Sequence, residues 1–126
     1  MLINISGYSG VGKTTIAKIL YFVLAEQNKS VLHLCGDDLH KWERKDKRWK
    51  EYTHLNPTAN NIDLGVQHIE DLINGKDIDR KLYNHDTGKF DGPIKIIAPD
   101  ILINERLHAL YKSKTCKLAN LNIFVD

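Results

Sequence analysis

The sequence predicts one α/β domain over residues 1–126, with a mainly parallel sheet and helices on both of its faces. Three observations carry that expectation. An apolar run at 2–6, a glycine-rich turn and an amphipathic stretch at 13–27 follow one another in strand–turn–helix order. A second apolar run at 31–35 completes a βαβ unit, whose two strands lie parallel with a right-handed crossover. Two further runs of buried-strand type recur at 101–104 and 121–125.

The elements follow in chain order. Residues 2–6 form a short buried strand that ends at Gly7. In the helix at 13–27, Ile16, Ile19, Leu20, Val23 and Leu24 fall at i, i+3, i+4, i+7 and i+8, the spacing of one apolar stripe. Asn28 and Lys29 close it. Residues 36–56 are polar, charged and poorly periodic, and read as loop and short helix. Asn56 and Pro57 read as an N-cap and the first helical position of the next helix. Its buried stripe is Ile62, Val66, Ile69 and Ile73, and Gly75 is its left-handed stop. Residues 76–93, with their Asp, Asn, Gly and Pro, read as mostly irregular, and 94–98 as a strand. Pro99 and Asp100 turn into the strand at 101–104, 107–116 reads as a short helix, and 121–125 as the last strand. No repeat, low-complexity tract or linker divides the chain.

Composition narrows the function classes. A hydrophobic share of 42% and a charged share of 27% suit a globular chain, not a disordered or fibrous one. No apolar run approaches the ~18 residues of a membrane span, and the start of the chain enters a strand without the basic region of a signal peptide. Cys35 and Cys116 have no metal-binding spacing, so a reduced, cytoplasmic protein is expected. Residues 41–50 carry six Lys/Arg against two acids, whereas the other 116 residues hold 12 bases and 14 acids. That patch, with Trp42 and Trp49 inside it, favours anionic partners. A solvated loop, a phosphorylated substrate and a nucleic acid are all compatible with it. The nucleic-acid reading is the weakest of these, because no RRM, KH, zinc or helix-turn-helix pattern accompanies the charge.

The strongest chemical signal is Gly7-Tyr8-Ser9-Gly10-Val11-Gly12-Lys13-Thr14, which fits GxxxxGK[ST] between a strand and an amphipathic helix. Glycines let the backbone fold tightly and bring several N–H donors toward one point. The helix that begins near Lys13 adds the positive end of its dipole. Lys13 is expected on the terminal phosphates and the Thr14 hydroxyl on Mg²⁺. Gly7, Ser9, Gly10, Val11, Gly12, Lys13, Thr14 and Thr15 are the expected nucleotide contacts, within a three-layer domain of P-loop NTPase type. No N/T-K-x-D guanine motif occurs, so ATP is the expected nucleotide.

Two further stations surround the phosphates. In a parallel sheet the strand C-terminal ends face the ligand crevice, which brings Asp37 and Asp38 out beside the loop. A carboxylate there can accept the proton of an acceptor hydroxyl, although capping a turn is an equally common use of aspartate. Glu105 ends the strand at 101–104, where an acid often holds the metal or its waters. His40, His54, His85 and His108 are candidates to converge on an acceptor pocket, while His33 reads as a packed or edge residue.

Taken together, GYSGVGKT, GDDLHKW, THLNPTANN, YNHDTGK, NERLHALY and NIFVD resemble, in this order, the uridine kinase and phosphoribulokinase family over nearly the whole chain. THLNPTANN and LHALY are closer to the phosphoribulokinase-like branch. The resemblance implies a P-loop kinase fold, ATP–Mg²⁺ as donor and a small hydroxylated molecule as acceptor. It places Asp37 at the catalytic base, Lys13 and Thr14 at the phosphate and metal positions, and Glu105 at the acid after the second conserved strand. His54 and Asn61 fall in the acceptor-side segment, and Tyr83 and His85 in the later one; His40 joins them as a substrate candidate. Asn61 stands where the family often has an aspartate that holds sugar hydroxyls. Arg106 replaces the glycine that usually follows the acid, as either a clash or a phosphate contact. The resemblance further implies an arginine-bearing lid after the last strand. The sequence reaches Asp126 at that point, and none of Arg44, Arg48, Arg80 and Arg106 lies in such a helix. The expectation is therefore a kinase whose residues 1–126 transfer slowly by themselves, with a lid supplied in cis, by a homodimer or by a partner. The alternative is a nucleotide-binding module without turnover of its own, regulatory or completed by a partner chain.

Overall fold

A computed structural model describes residues 1–126. Four parallel strands form the main sheet, in the order β2 (Val31–Cys35), β5 (Ile101–Glu105), β1 (Leu2–Gly7), β6 (Leu121–Val125). Helix α1 (Lys13–Ala25) covers one face, and α2 (Ile62–Ile73) with α3 (Ser113–Leu118) covers the other. This is the expected three-layer arrangement. A two-stranded antiparallel ribbon, β3 (Ile78–Asn84) with β4 (Lys89–Ile96), stands beside it.

Strand alternation divides the core into two halves. Ile3, Ile5, Ile101 and Ile103 pack under α1 around the fully buried Ala17. Leu2, Leu34 and Leu102 pack against Ile69 and Leu72 of α2 and Ile78 of β3. On α1 the inward stripe is Ile16, Ala17, Leu20 and Leu24, whereas Ile19 and Val23, expected inside, are 58% and 55% exposed. Gly75 takes φ +79 as the expected stop of α2, and Asn28 turns the chain at φ +55 after α1.

One row of the sheet is polar. Asn104, Asn4 and Asn122 are register partners on β5, β1 and β6. Asn104 Nδ2 donates to Asn4 Oδ1 at 2.8 Å, and Asn4 Nδ2 donates to Asn122 Oδ1 at 2.9 Å and to the Thr115 carbonyl at 3.1 Å. Asn122 Nδ2 reaches the Cys116 carbonyl at 3.0 Å, so the row also holds α3 to the sheet.

Several boundaries differ from expectation, each for a physical reason. Residues 76–93, expected irregular, are mostly ribbon, and the strand expected at 94–98 is the end of β4. Ile78 and Arg80 point in while Asp79 and Lys81 point out, so the strand alternation is present but one inward residue is an arginine. The ribbon's tip is an Asx-type turn in which Asn84 Oδ1 accepts from the amides of Asp86 and Thr87. Asn56 and Pro57 do cap and start a helix, but it is the 3-10 turn Pro57–Ala59, and α2 begins separately at Ile62. The helix expected at 107–116 is a pair of turns followed by α3: the amides of Ala109 and Tyr111 close i→i+3 bonds onto the carbonyls of Arg106 and His108, and Ser6 Oγ ties the Leu107 carbonyl to the sheet at 2.7 Å.

The asparagine row should be costly to interrupt. Asn4→Ala strands an amide donor on Asn104 and acceptors on Asn122 and Thr115, and a buried polar group left without its partner costs ~1–3 kcal/mol. Urea unfolding should show a loss of at least about 2 kcal/mol for this variant.

Candidate functional site: the phosphate-loop cleft

The loop between β1 and α1 is built by its glycines. Gly10 and Gly12 sit at φ +80 and +102, in the left-handed region, and Gly12 is the N-cap of α1. Gly7, at φ +151, passes against the Val125 carbonyl, where a Cβ would collide. Ser9, Gly10, Lys13 and Thr14 line a cleft at the C-terminal edge of the sheet. Lys13 Nζ folds back onto the Tyr8 carbonyl at 2.7 Å.

Glu105 closes one side of this loop. Its Oε1 accepts from Thr14 Oγ1 at 2.9 Å, and its Oε2 lies 2.8 Å from His33 Nε2. Burial pushes the Glu105 pKa up, but the hydrogen bonds from His33 and Thr14 and the charges of His33 and Lys13 outweigh it, leaving the carboxyl below its ordinary value. Thr14 and Glu105 are hard oxygen donors side by side, which suits Mg²⁺. That ion usually takes one or two protein oxygens and completes its shell with phosphates and water. No group of three His, Cys, Asp or Glu forms a fuller metal cage. His33 was legible only as a strand residue. Its role emerges from the β2–β5 register, which pairs Cys35 with Glu105 and sets His33 one step back on the same face.

The adjacent aspartates have different surroundings. Asp38 Oδ2 accepts from Arg80 Nε at 3.3 Å, and its Oδ1 accepts from the Tyr83 amide at 2.7 Å. Arg80 is 4% exposed and also donates to the Cys35 carbonyl at 2.8 Å, with His68 Nδ1 at 3.4 Å. Burial and the Arg80 charge push the His68 pKa down, which keeps that nitrogen free to accept. Asp38 therefore staples the ribbon to the end of β2. Asp37 instead lines the cleft half-exposed, with His85 Nε2 at 3.3 Å and His40 Nε2 at 4.0 Å.

Of the other expected site residues, His40, His54 and Arg106 line the cleft, together with His108. His40 makes edge contacts with His54, Tyr83 and Trp49, and burial, the first of several influences, lowers its pKa. Tyr83 and Asn61 lie outside the cleft walls; Asn61 is the N-cap of α2, its amide donating to the Leu39 carbonyl at 2.7 Å, and its neighbour Asn60 is the lining residue. Thr15 lies on the exposed side of α1's first turn, and Val11 and Gly12 carry the loop backbone. The basic segment 41–50 folds against the ribbon tip. The Arg44 amide donates to the Gly88 carbonyl at 2.8 Å and its guanidinium to the His85 carbonyl, while Arg48 is held by Asp46 and lies over Trp42.

A glycine loop opening a helix, with an acid of the neighbouring strand on the loop's threonine, defines a nucleotide-binding domain of the P-loop kinase fold. The family is equally plain: the sequence model of the Phosphoribulokinase / Uridine kinase family matches residues 2–126, and the chain belongs to that family. It is 34% identical to a phosphoribulokinase of Synechocystis over 126 residues, all of this chain and 37% of the relative. A uridine kinase of Mycoplasma genitalium is 32% identical over 129 residues, covering all of this chain and 60% of the relative. The chain thus spans little more than a third of the cyanobacterial protein's length. Among solved structures, the fold is similar to a phosphoribulokinase from Rhodobacter spheroides, with TM-score 0.75 at 19% identity over 98% of this chain and 50% of that one. A possible uridine kinase from Bacillus stearothermophilus gives TM-score 0.74 at 21% identity, over 98% and 69%. No helix is long and apolar enough to cross a membrane.

Two outcomes follow from these environments. Asp38→Ala should cost about 3 kcal/mol in urea unfolding, because it leaves the Arg80 charge buried and unpaired, whereas Asp37→Ala should change stability by under ~0.5 kcal/mol. Glu105, held below its ordinary pKa, contributes stability that is complete above the ordinary carboxylate range and lost as pH falls through the lower folded value. Glu105→Gln should flatten that limb of the acid-unfolding curve.

Proposed function

We propose that the protein binds ATP with Mg²⁺ and transfers the γ-phosphate to a hydroxyl of a small molecule of the sugar-phosphate or nucleoside type. The single observation that carries this reading is the cleft itself. It joins a complete phosphate loop, a Thr14–Glu105 oxygen pair and a half-exposed Asp37 on one sheet edge. The loop amides and Lys13 hold the β- and γ-phosphates, Lys13 exchanging its Tyr8 carbonyl for them. Mg²⁺, held through Thr14 and Glu105, neutralises charge on those phosphates when bound. Asp37 accepts the proton of the acceptor hydroxyl, and His85 and His40 keep its carboxylate oriented toward the cleft. Asp38 is unavailable for that role because its two oxygens are committed to Arg80 and the Tyr83 amide. The donor and base belong to the kinase reading; the names of the relatives supply the two acceptor types.

A second reading, nucleotide binding without appreciable turnover by residues 1–126, is favoured by the arginines. Arg44 and Arg48 hold the ribbon tip and Asp46, Arg80 is a buried staple, and only Arg106 lines the cleft. An arginine acting on the γ-phosphate is worth ~10³–10⁵ in rate in P-loop enzymes. A partner or further chain would supply it.

The two readings share one binding test and part on one assay. Mg·ADP should raise the melting temperature, with ~2.7 kcal/mol of stabilisation at a hundredfold excess over Kd, and Lys13→Ala should weaken that response. Equal responses in both proteins would overturn the nucleotide site. ADP release is then measured with candidate sugars, sugar phosphates and nucleosides. Asp37→Asn should lower kcat by ~10²–10⁴ with nucleotide affinity unchanged. Turnover near ~10 s⁻¹ by residues 1–126 would exclude the second reading.

A further inference from the structure

Three buried side-chain polar atoms of the molecule have no hydrogen-bond partner: Arg106 Nε, Arg106 Nη2 and His108 Nε2. They belong to two residues that line the same cleft as the phosphate loop. Arg106 is 6% exposed and has no carboxylate within ion-pair distance. Its neighbour Glu105 does not neutralise it. Consecutive residues at a strand end face opposite sides of the sheet, and both Glu105 oxygens are engaged on the α1 side by Thr14 and His33. Arg106 leaves on the α2 side, where a Cβ on Gly36 would strike its Cβ and a Cβ on Gly65 its Nη1.

Burying a guanidinium without a counterion is unfavourable, and the molecule nevertheless provides a fitted slot for one. Burial, and then the Arg80 charge, lower the Arg106 pKa to about 10, which leaves the group positive at neutral pH. Asp37 and Glu105 line the same cleft, but neither pairs with Arg106. His108 is beside it, and the first turn of α2 contributes Ile62 to the cleft wall, with an N-cap residue whose side chain makes no capping bond. The free amides of that turn carry the positive end of the helix dipole. A buried cation with two unused donors and a helix N-terminus are together complementary to an oxyanion, and the free nitrogen of His108, whose pKa burial and then the Arg106 charge lower, is placed to accept the P–OH of a monohydrogen phosphate.

We propose that Arg106 and His108, with the first turn of α2, form a second oxyanion subsite in the cleft, separate from the phosphate loop, that takes a tetrahedral group of phosphate type. This rests on the proposed kinase reading for its purpose, since an acceptor carrying a phosphate monoester would anchor there while its hydroxyl meets Asp37. Free orthophosphate offers the same chemistry. Arginine matches it by bidentate donation from Nε and Nη2, the two atoms left unpaired here.

The test titrates orthophosphate, ribose 5-phosphate and ribose into protein saturated with Mg·AMP-PNP, which fills the phosphate loop, with binding read by calorimetry and thermal shift. Orthophosphate or ribose 5-phosphate should bind the wild type at least about tenfold more tightly than Arg106→Met, the scale of one charge-assisted hydrogen bond. AMP-PNP affinity should be the same in both. Without any anion, Arg106→Met should melt at the same temperature as wild type or higher, because an apolar side chain replaces an unpaired charge. A merely structural arginine would give the opposite sign. His108→Gln should weaken the same anions and leave AMP-PNP binding intact, and it stands in if Arg106→Met fails to fold. Tighter binding of ribose 5-phosphate than of orthophosphate, with ribose silent, assigns the anion to an acceptor; equal binding assigns it to free phosphate; both support the subsite. The Lys13→Ala chain without nucleotide repeats the titration with the loop silenced, so that failure of the nucleotide site does not mask the result. No anion binding there, or equal affinity in wild type and both variants, would overturn the proposal.

Discussion

The register of three of the four main-sheet strands rests on a row of amides, buried at Asn104 and Asn4 and continued by the exposed Asn122. Asn104, Asn4 and Asn122 face the same side of neighbouring strands and satisfy one another and two carbonyls of α3. Apolar residues on these strands would tolerate sliding by two positions, since one isoleucine replaces another in the same core half. The amides would not, because each slip leaves several buried polar groups without partners. The cleft is built on that alignment of β5 with β1, while β2 joins through backbone pairing that sets Leu34 beside Asn104 and Cys35 beside Glu105. Glu105 then meets Thr14 on the α1 side, and Arg106 leaves on the α2 side one residue later. The two uses proposed for the cleft, holding the phosphate donor and receiving a second ligand, thereby fall on opposite faces of one strand end.

Charge is distributed with the same economy. The pair Asp37 and Asp38 occupies a single 3-10 turn, Gly36–Leu39, in which successive side chains diverge. One reaches the ribbon and becomes a packing element with Arg80, and the other remains in the cleft. The ribbon in turn brings His85 to the free aspartate, and segment 41–50 grips the ribbon tip. The basic cluster that is conspicuous in the sequence is therefore partly spent on structure: Arg44 holds the ribbon tip, Arg48 is paired with Asp46, and Trp49 and Tyr52 both pack on Trp42.

Much of this was legible beforehand, because the phosphate loop, the βαβ unit and the strands at 31–35 and 121–125 are written in short-range patterns of glycine and apolar residues. The parts that were not legible share one cause: a polar residue in a place where apolar ones are expected. Arg80 hides the alternation of β3, and Ser6 ties the Leu107 carbonyl to the sheet where a helix is expected and the chain closes tighter turns. His33 looks like an ordinary strand residue until Glu105 is known to lie beside it. Conversely, Ile19 and Val23 fit the helical spacing of α1 but lie on its flank, since a spacing rule finds a stripe without locating its centre. The different fates of Asp37 and Asp38 depend on a ribbon whose contacts with Asp38 lie 42 and 45 residues downstream, which no local pattern contains.

The slot around Arg106 has a consequence for how the chain can change over time. Its side chain runs past Gly36 at the end of β2 and Gly65 in α2, two positions far apart in sequence where even a methyl group would collide with it. Alanine at 36 would meet the β-carbon of residue 106, which every residue but glycine carries, so shortening the arginine leaves that wall as it is. Alanine at 65 would meet the far end of the arginine and the Leu39 side chain together. The two walls of the slot therefore answer to different parts of one side chain, its root at Gly36 and its tip at Gly65. A shorter residue at 106 relaxes part of the constraint on 65 and none of that on 36.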